Sequence, residues 1–140
     1  MIKIHPYLNF NGNTEEAFNF YKSVFGKEFS ILQRFKDIPD SEKIPTAIHE
    51  KIMHVSLPIT ETLTLMGTDA VEGMGEKLIE GNNISLSIDT SSKEEANELF
   101  SLLSKDGEIK MALSDTFWGA YFGMCKDRFG IIWMVNHDYK

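Results

Sequence analysis

The residues of this chain best suited to chemistry are histidines and hydroxyl or amide side chains spaced two apart along extended segments. In "KIHPYLNF" His5, Tyr7 and Asn9 fall on one side of a strand, and in "KIMHVSL" His54 shares a side with Ser56, because successive strand side chains point to opposite faces. An imidazole so placed is a general base near neutral pH or a lone ligand for a metal. An ordinary hydrogen-bonded histidine fits the same pattern, and no carboxylate partner is identifiable from the sequence. Asp69 in "MGTDA" follows a strand-like run, where an acid either orients a ligand or caps the next turn through side-chain to backbone bonds. In "GNNISLSID" Asn83 and Ser85 alternate against Ile84 and Leu86, and in "DTFWGAYFGMCKDRFGIIWMVN" Trp118 and Phe122 are candidate pocket walls. Trp133 of the same stretch falls by parity on a helix-facing side, with Met134 opposite it. The candidate ligand-binding set is therefore His5, Tyr7, His54, Asp69, Asn83, Ser85, Trp118, Phe122 and Met134. His49, in the proline-containing segment "DIPDSEKIPTAIHE", reads as solvated, and His137 as the end of a strand.

The elements that must position these groups occur twice. "NTEEAFNFYKSVFG" predicts an amphipathic helix capped by Asn13, with Glu16 completing a capping box, a stripe of Ala17, Phe20, Tyr21, Val24 and Phe25, and Gly26 at its end. "SSKEEANELFSLLSKDG" repeats the plan with Ser92, Glu95, the stripe Ala96, Leu99, Phe100 and Leu103, and Gly107. A strand precedes each helix. Three strand-like runs follow each: 29–35, 52–59 and 63–68 in the first half, and 109–113, 120–125 and 131–136 in the second. The chain thus reads as two copies of strand, helix, strand, strand, strand. Alternation sets Ile4, Leu8 and Phe10 on the helix side of the first strand, and Ile84, Leu86 and Ile88 on that of the fifth. A sheet with helices on one side ordinarily leaves its other face in solvent, so polar residues there need no functional reason. Two concave polar faces, however, are expected to enclose one aromatic-rimmed cavity, as ligand pockets do. "DRFG" is a turn, with Gly130 at its unusual backbone angle, and Gly119 and Gly123 let their strand bend or approach a neighbour. The segments 36–50 and 69–81 are long enough for lids, or for ordinary connections.

Composition narrows the function. The chain has 140 residues, 42% of them hydrophobic, and no Pro/Ser-rich linker, which predicts one domain: a first module over about 1–68, a connecting loop at about 69–81 and a second module over about 82–140. A formal net charge of −7 without a basic block disfavours nucleic acid and membrane surfaces as partners. The N-terminal segment has no apolar core of signal-peptide length and no apolar run spans a bilayer, so the expected location is cytoplasmic. The single Cys125 reads as a small strand residue. No G-x-G-x-G opens a capped helix, which argues against a dinucleotide-like site for S-adenosylmethionine and hence against methyl transfer. The strand faces offer almost no Arg or Lys for a phosphonate.

The segments "HPYLNFNGNTEEAFNFYKSVFG", "KIMHVSL", "LMGTDA", "GNNISLSID" and "DTFWGAYFGMCKDRFGIIWMVN" resemble, in order and over nearly the whole chain, the PhnB-like proteins of the vicinal oxygen chelate superfamily, which includes glyoxalase I, bleomycin-resistance proteins and extradiol dioxygenases. The resemblance implies an α+β, glyoxalase-like fold of two tandem βαβββ modules with cupped mixed sheet and helices on the outer face. It also implies a homodimer that often completes the sites. In the superfamily's metalloenzymes a divalent metal is held from the first and fourth strands of each module. Those positions fall here on His5, on Thr64 or Met66, on Asn83 and on Met134. One familiar ligand remains, His5, the one place where a divalent metal would still find imidazole. The expectation is therefore a small-molecule-binding protein without the superfamily metal. Its rivals are a lyase, isomerase or dioxygenase using His5, His54 and Asp69, and a drug-sequestering resistance protein.

Overall fold

The structure is a computed structural model that describes residues 1–71, 73 and 75–139. It divides into two compact units, Met1–Ile79 and Glu80–Lys140. Glu72 and Met74, inside the connecting loop expected at 69–81, lie outside the described residues.

The first unit runs β1 (Tyr7–Phe10), α1 (Thr14–Phe25), β2 (Ile31–Arg34), β3 (Ile52–Pro58) and β4 (Thr64–Asp69), with three 3-10 turns between β2 and β3. The second runs β5 (Leu86–Asp89), α2 (Lys93–Ser104), β6 (Glu108–Asp115), β7 (Ala120–Lys126) and β8 (Ile132–Asp138). The sheets have the same plan, β1-β4-β3-β2 and β5-β8-β7-β6. The first and last strand of each unit pair parallel and the others antiparallel. This is the tandem βαβββ arrangement of the glyoxalase-like α+β fold, each module carrying a helix against one sheet face.

Helix and sheet meet through the stripes that periodicity marks, with one change. Ala17, Tyr21, Ala96, Phe100 and Leu103 are buried as expected, but Phe18 replaces Phe20 as a fully buried anchor of α1. Phe18 lies over Gly67 of β4, where a Cβ would come within 2.5 Å of its ring. Gly123 of β7 makes the same allowance for Phe100 of α2, at 3.0 Å. These glycines let a ring lie directly on the strand, and each ring so buried contributes about 1.5–3 kcal/mol. Gly130, at φ 98°, takes the turn angle expected of it.

The expectations for the first strands need correction. Ile4 and Ile84 are 83% and 75% exposed and precede their strands, which begin only at Tyr7 and Leu86. Pro6 lacks the N–H that pairing before Tyr7 would use.

His49 is not solvated either. Its Nε2 bonds to the carbonyls of Ser41 at 3.1 Å and Ile44 at 2.9 Å, tying together the 3-10 turns of the 36–50 segment. Arg34 closes that segment from below: it forms a two-pronged pair with Glu15 of α1, at 3.0 and 2.8 Å, and donates to the Glu50 carbonyl.

Candidate functional site

On each sheet, the face turned from the helix can be followed row by row along the ladder partners. In module one the central row is Tyr7 on β1, Met66 on β4, Ser56 on β3 and Ile31 on β2. In module two the matching row is Ser87 on β5, Met134 on β8, Met124 on β7 and Met111 on β6. Beside these lie His54 with Gln33 in module one, and Phe122 with Asn136 in module two.

The module-one face carries a hydrogen-bonded chain. Tyr7 Oη lies 3.0 Å from Nδ1 of His54, and Nε2 of the same imidazole lies 2.8 Å from Ser56 Oγ. The phenol and imidazole rings are also in tilted contact, with centroids 5.6 Å apart. Burial raises the pKa of Tyr7, which keeps its hydroxyl protonated and able to donate to Nδ1. A phenol donating to Nδ1 would put the imidazole proton on Nε2, as donor to Ser56. Ser56 is 5% exposed and Tyr7 46%, so the chain runs from the sheet interior outward to a phenol that a solute can reach. It lacks the carboxylate that orients the base of a nucleophilic triad, and its serine is buried. What it offers is a preset arrangement of a phenol and an imidazole for a polar ligand group.

His5 stands apart from this chain. The Thr64 backbone N–H donates to its Nδ1 at 2.9 Å, which leaves the ring proton on Nε2.

Asp69 is on the opposite face of its sheet from Tyr7 and His54. It is 4% exposed; Oδ1 accepts from the Thr14 N–H at 3.0 Å and Oδ2 from the Ile52 N–H at 2.7 Å. Asn13 makes no side-chain cap bond, so Asp69 caps α1 from across the fold. A carboxylate at a helix N-terminus is favoured both by the unpaired N–H groups and by the helix dipole. Of the two roles read for Asp69, capping is the one its geometry performs.

In module two, Asn83 and Ser85 are exposed and precede β5. Trp118 is 57% exposed and makes edge contacts with Phe117 at 4.9 Å and Phe122 at 6.1 Å between centroids. Met134 is part-buried at the centre of its row, and Trp133 is core at 2% exposure. Among the described residues, no three His, Cys, Asp or Glu side chains gather where they would hold a metal ion.

Sequence reading missed Asp127. It is buried at 3% exposure, accepts from the N–H groups of Phe129 and Ile131 and holds the Trp133 indole N–H at 2.8 Å. The signal was the aspartate opening "DRFG", since Asp at the head of a turn commonly bonds the backbone two residues on. Cys125, fully buried beside it, has its thiol pushed up to about 11 by burial and by the Asp127 charge.

The model of the protein family described as 3-demethylubiquinone-9 3-methyltransferase matches residues 2–136. The chain belongs to that family. It is the PhnB-like family of the resemblance: a PhnB protein from Bacillus cereus, described by the same methyltransferase name, is 25% identical with a TM-score of 0.77, over 97% of this chain and 99% of that one. Protein PA1353 from Pseudomonas aeruginosa is 39% identical with a TM-score of 0.85, over 99% and 98% of the two chains. Protein YjdN of Escherichia coli (strain K12) is 31% identical, over 95% of this chain and 93% of its own length. At lower identity the fold alone is shared: a glyoxalase/bleomycin resistance protein/dioxygenase family enzyme from Burkholderia phytofirmans is 15% identical with a TM-score of 0.62, over 95% of each chain. PhnB-like membership and the glyoxalase-like fold therefore stand together. Among the described residues no helix is long and apolar enough to cross a membrane.

Proposed function

We propose that this PhnB-like chain binds a flat, polar-substituted organic molecule and needs no divalent metal to do so. The observation that carries the reading is the Tyr7–His54–Ser56 chain on the module-one sheet face, which presents a phenol and an imidazole already oriented by each other. Preset polar groups cost a ligand little ordering on binding.

The superfamily's metal fits these residues poorly. The eighth-strand position holds Met134 and the fourth-strand position Thr64 or Met66, and neither a thioether nor a threonine hydroxyl is a usual ligand of the hard and borderline divalent ions. His5 keeps its ring proton on Nε2 while Nδ1 accepts from Thr64, so neither nitrogen offers a lone pair without breaking a bond. No step is therefore routed through a metal. The acid/base rival loses its carboxylate, because Asp69 is committed to the start of α1. Methyl transfer, which the family description names, lacks support in the glycine pattern. The protein is further proposed to work in the cytoplasm as a homodimer.

The test is calorimetric titration with hydroxy- and keto-substituted aromatics, with S-adenosylmethionine as a control. Binding of the aromatics in the presence of EDTA, weakened by Tyr7→Phe, is expected. Stoichiometric zinc or nickel lost on His5→Ala would overturn the metal-free part, and binding of S-adenosylmethionine alone would overturn the ligand class.

A further inference from the structure

We propose that Met111, Met124 and Met134 form a three-thioether site for a soft monovalent cation of the Cu(I)/Ag(I) class. The three stand in one row on adjacent strands, Met111 opposite Met124 and Met124 opposite Met134. Adjacent strands are about 4.8 Å apart, so unbranched side chains on three of them are long enough to meet an ion above the middle residue. Thioethers select soft ions and carry no proton that must be displaced.

The backbone of β6 is irregular where it places Met111. Ile109 pairs with Cys125, and simple alternation would put Met111 on the Ile109 side. A register shift between Ile109 and Met111 instead sets Met111 opposite Met124, and a second shift follows before Ser114. Bulges re-aim side chains in this way and cluster near functional sites. Met111, 50% exposed, leaves a route for an ion, while Met124 and Met134 are part-buried. Lys126, two residues beyond Met124, is in register with Glu108, whose carboxylate pairs with Lys110 at 3.7 Å, and the chain as a whole carries a formal −7 charge.

The equivalent row of module one supplies an internal control. It holds one thioether, Met66, between Tyr7 and Ser56, and so has no such site. The competing soft ligand, the Cys125 thiol, is fully buried. This inference does not rest on the proposed ligand of module one, and divalent ions do not test it.

The experiment uses the full chain and Ag(I), which needs no reductant, read by native mass spectrometry and by competition titration. One Ag(I) per chain is expected, with affinity lowered about tenfold or more by Met124→Leu or by Met111→Leu at the half-exposed edge. Met66→Leu and Cys125→Ser should leave it unchanged. Met to Leu conserves volume closely, and unchanged melting would confirm intact folding. Absence of bound Ag(I), equal binding by the triple leucine variant, or loss of binding in Cys125→Ser would each overturn the site.

Discussion

Met66 and Met134 occupy the same place in the two modules, the middle of the strand that pairs parallel with the first, yet their neighbours are opposite in character. Met66 lies between Tyr7 and Ser56, beside His54; Met134 lies between Ser87 and Met124, with Phe122 in the position matching His54. Around Met66 the neighbours are hydrogen-bonding groups, whereas around Met134 thioethers and a ring stand beside Ser87 and Asn136. The helix-facing sides differ less in outcome than in means. Module two caps α2 from within, with Ser92 Oγ accepting from the Glu95 N–H at 3.0 Å and the Glu95 carboxylate accepting from the Ser91 N–H. Module one caps α1 with Asp69, which lies 55 residues away in the sequence. The same fold thus accepts different residues wherever the backbone need is still met, and the open faces of the two modules carry different side chains.

The largest effect should come from breaking the distant cap. Asp69→Ala strands two buried N–H groups and is expected to cost about 3 kcal/mol in urea unfolding, since each unsatisfied buried donor costs about 1–3 kcal/mol. A loss no greater than that of Ser92→Ala would show that the two caps are equivalent. Next comes Gly67→Ala, whose methyl would strike the Phe18 ring; about 2 kcal/mol is expected, with less for Gly123→Ala because its contacts are wider. Equal losses would contradict the closer packing of α1. Ser92→Ala should cost about 1 kcal/mol, the usual worth of a local cap. The last effect is silent at neutral pH and appears only as a dependence on pH. An ordinary thiol releases its proton near 9.0, whereas the Cys125 thiol is pushed up to about 11 in the fold, so above pH 9 the unfolded chain releases this proton first. Stability should then fall as pH rises toward 11. Cys125→Ala should flatten that decline, and an unchanged slope would assign it to other groups.

Much of this comparison was legible in the sequence, and the failures have physical causes. Both helices, the repeat, the turn at "DRFG" and the burial of Trp133 follow from period and turn chemistry, which are local. His54 and Tyr7 were legible as candidates because parity marks a face; their bond to each other, across 47 positions, was not. Asp69 was placed at the right spot, but its partner depends on a helix terminus distant in sequence. Ile4 and Ile84 keep perfect alternation yet have no partner strand at their level, so period alone overextends both strands. Met111 was hidden for the opposite reason: two register shifts in β6 cancel the parity on which a sequence reading depends.

The claim that the module-one face reads a ligand's polar group is tested most directly by giving it the module-two residue, His54→Phe, and titrating hydroxy-aromatics by calorimetry. Loss of one hydrogen-bonding partner should weaken binding about tenfold while unfolding remains cooperative. Affinity equal to that of the unaltered protein would contradict the account.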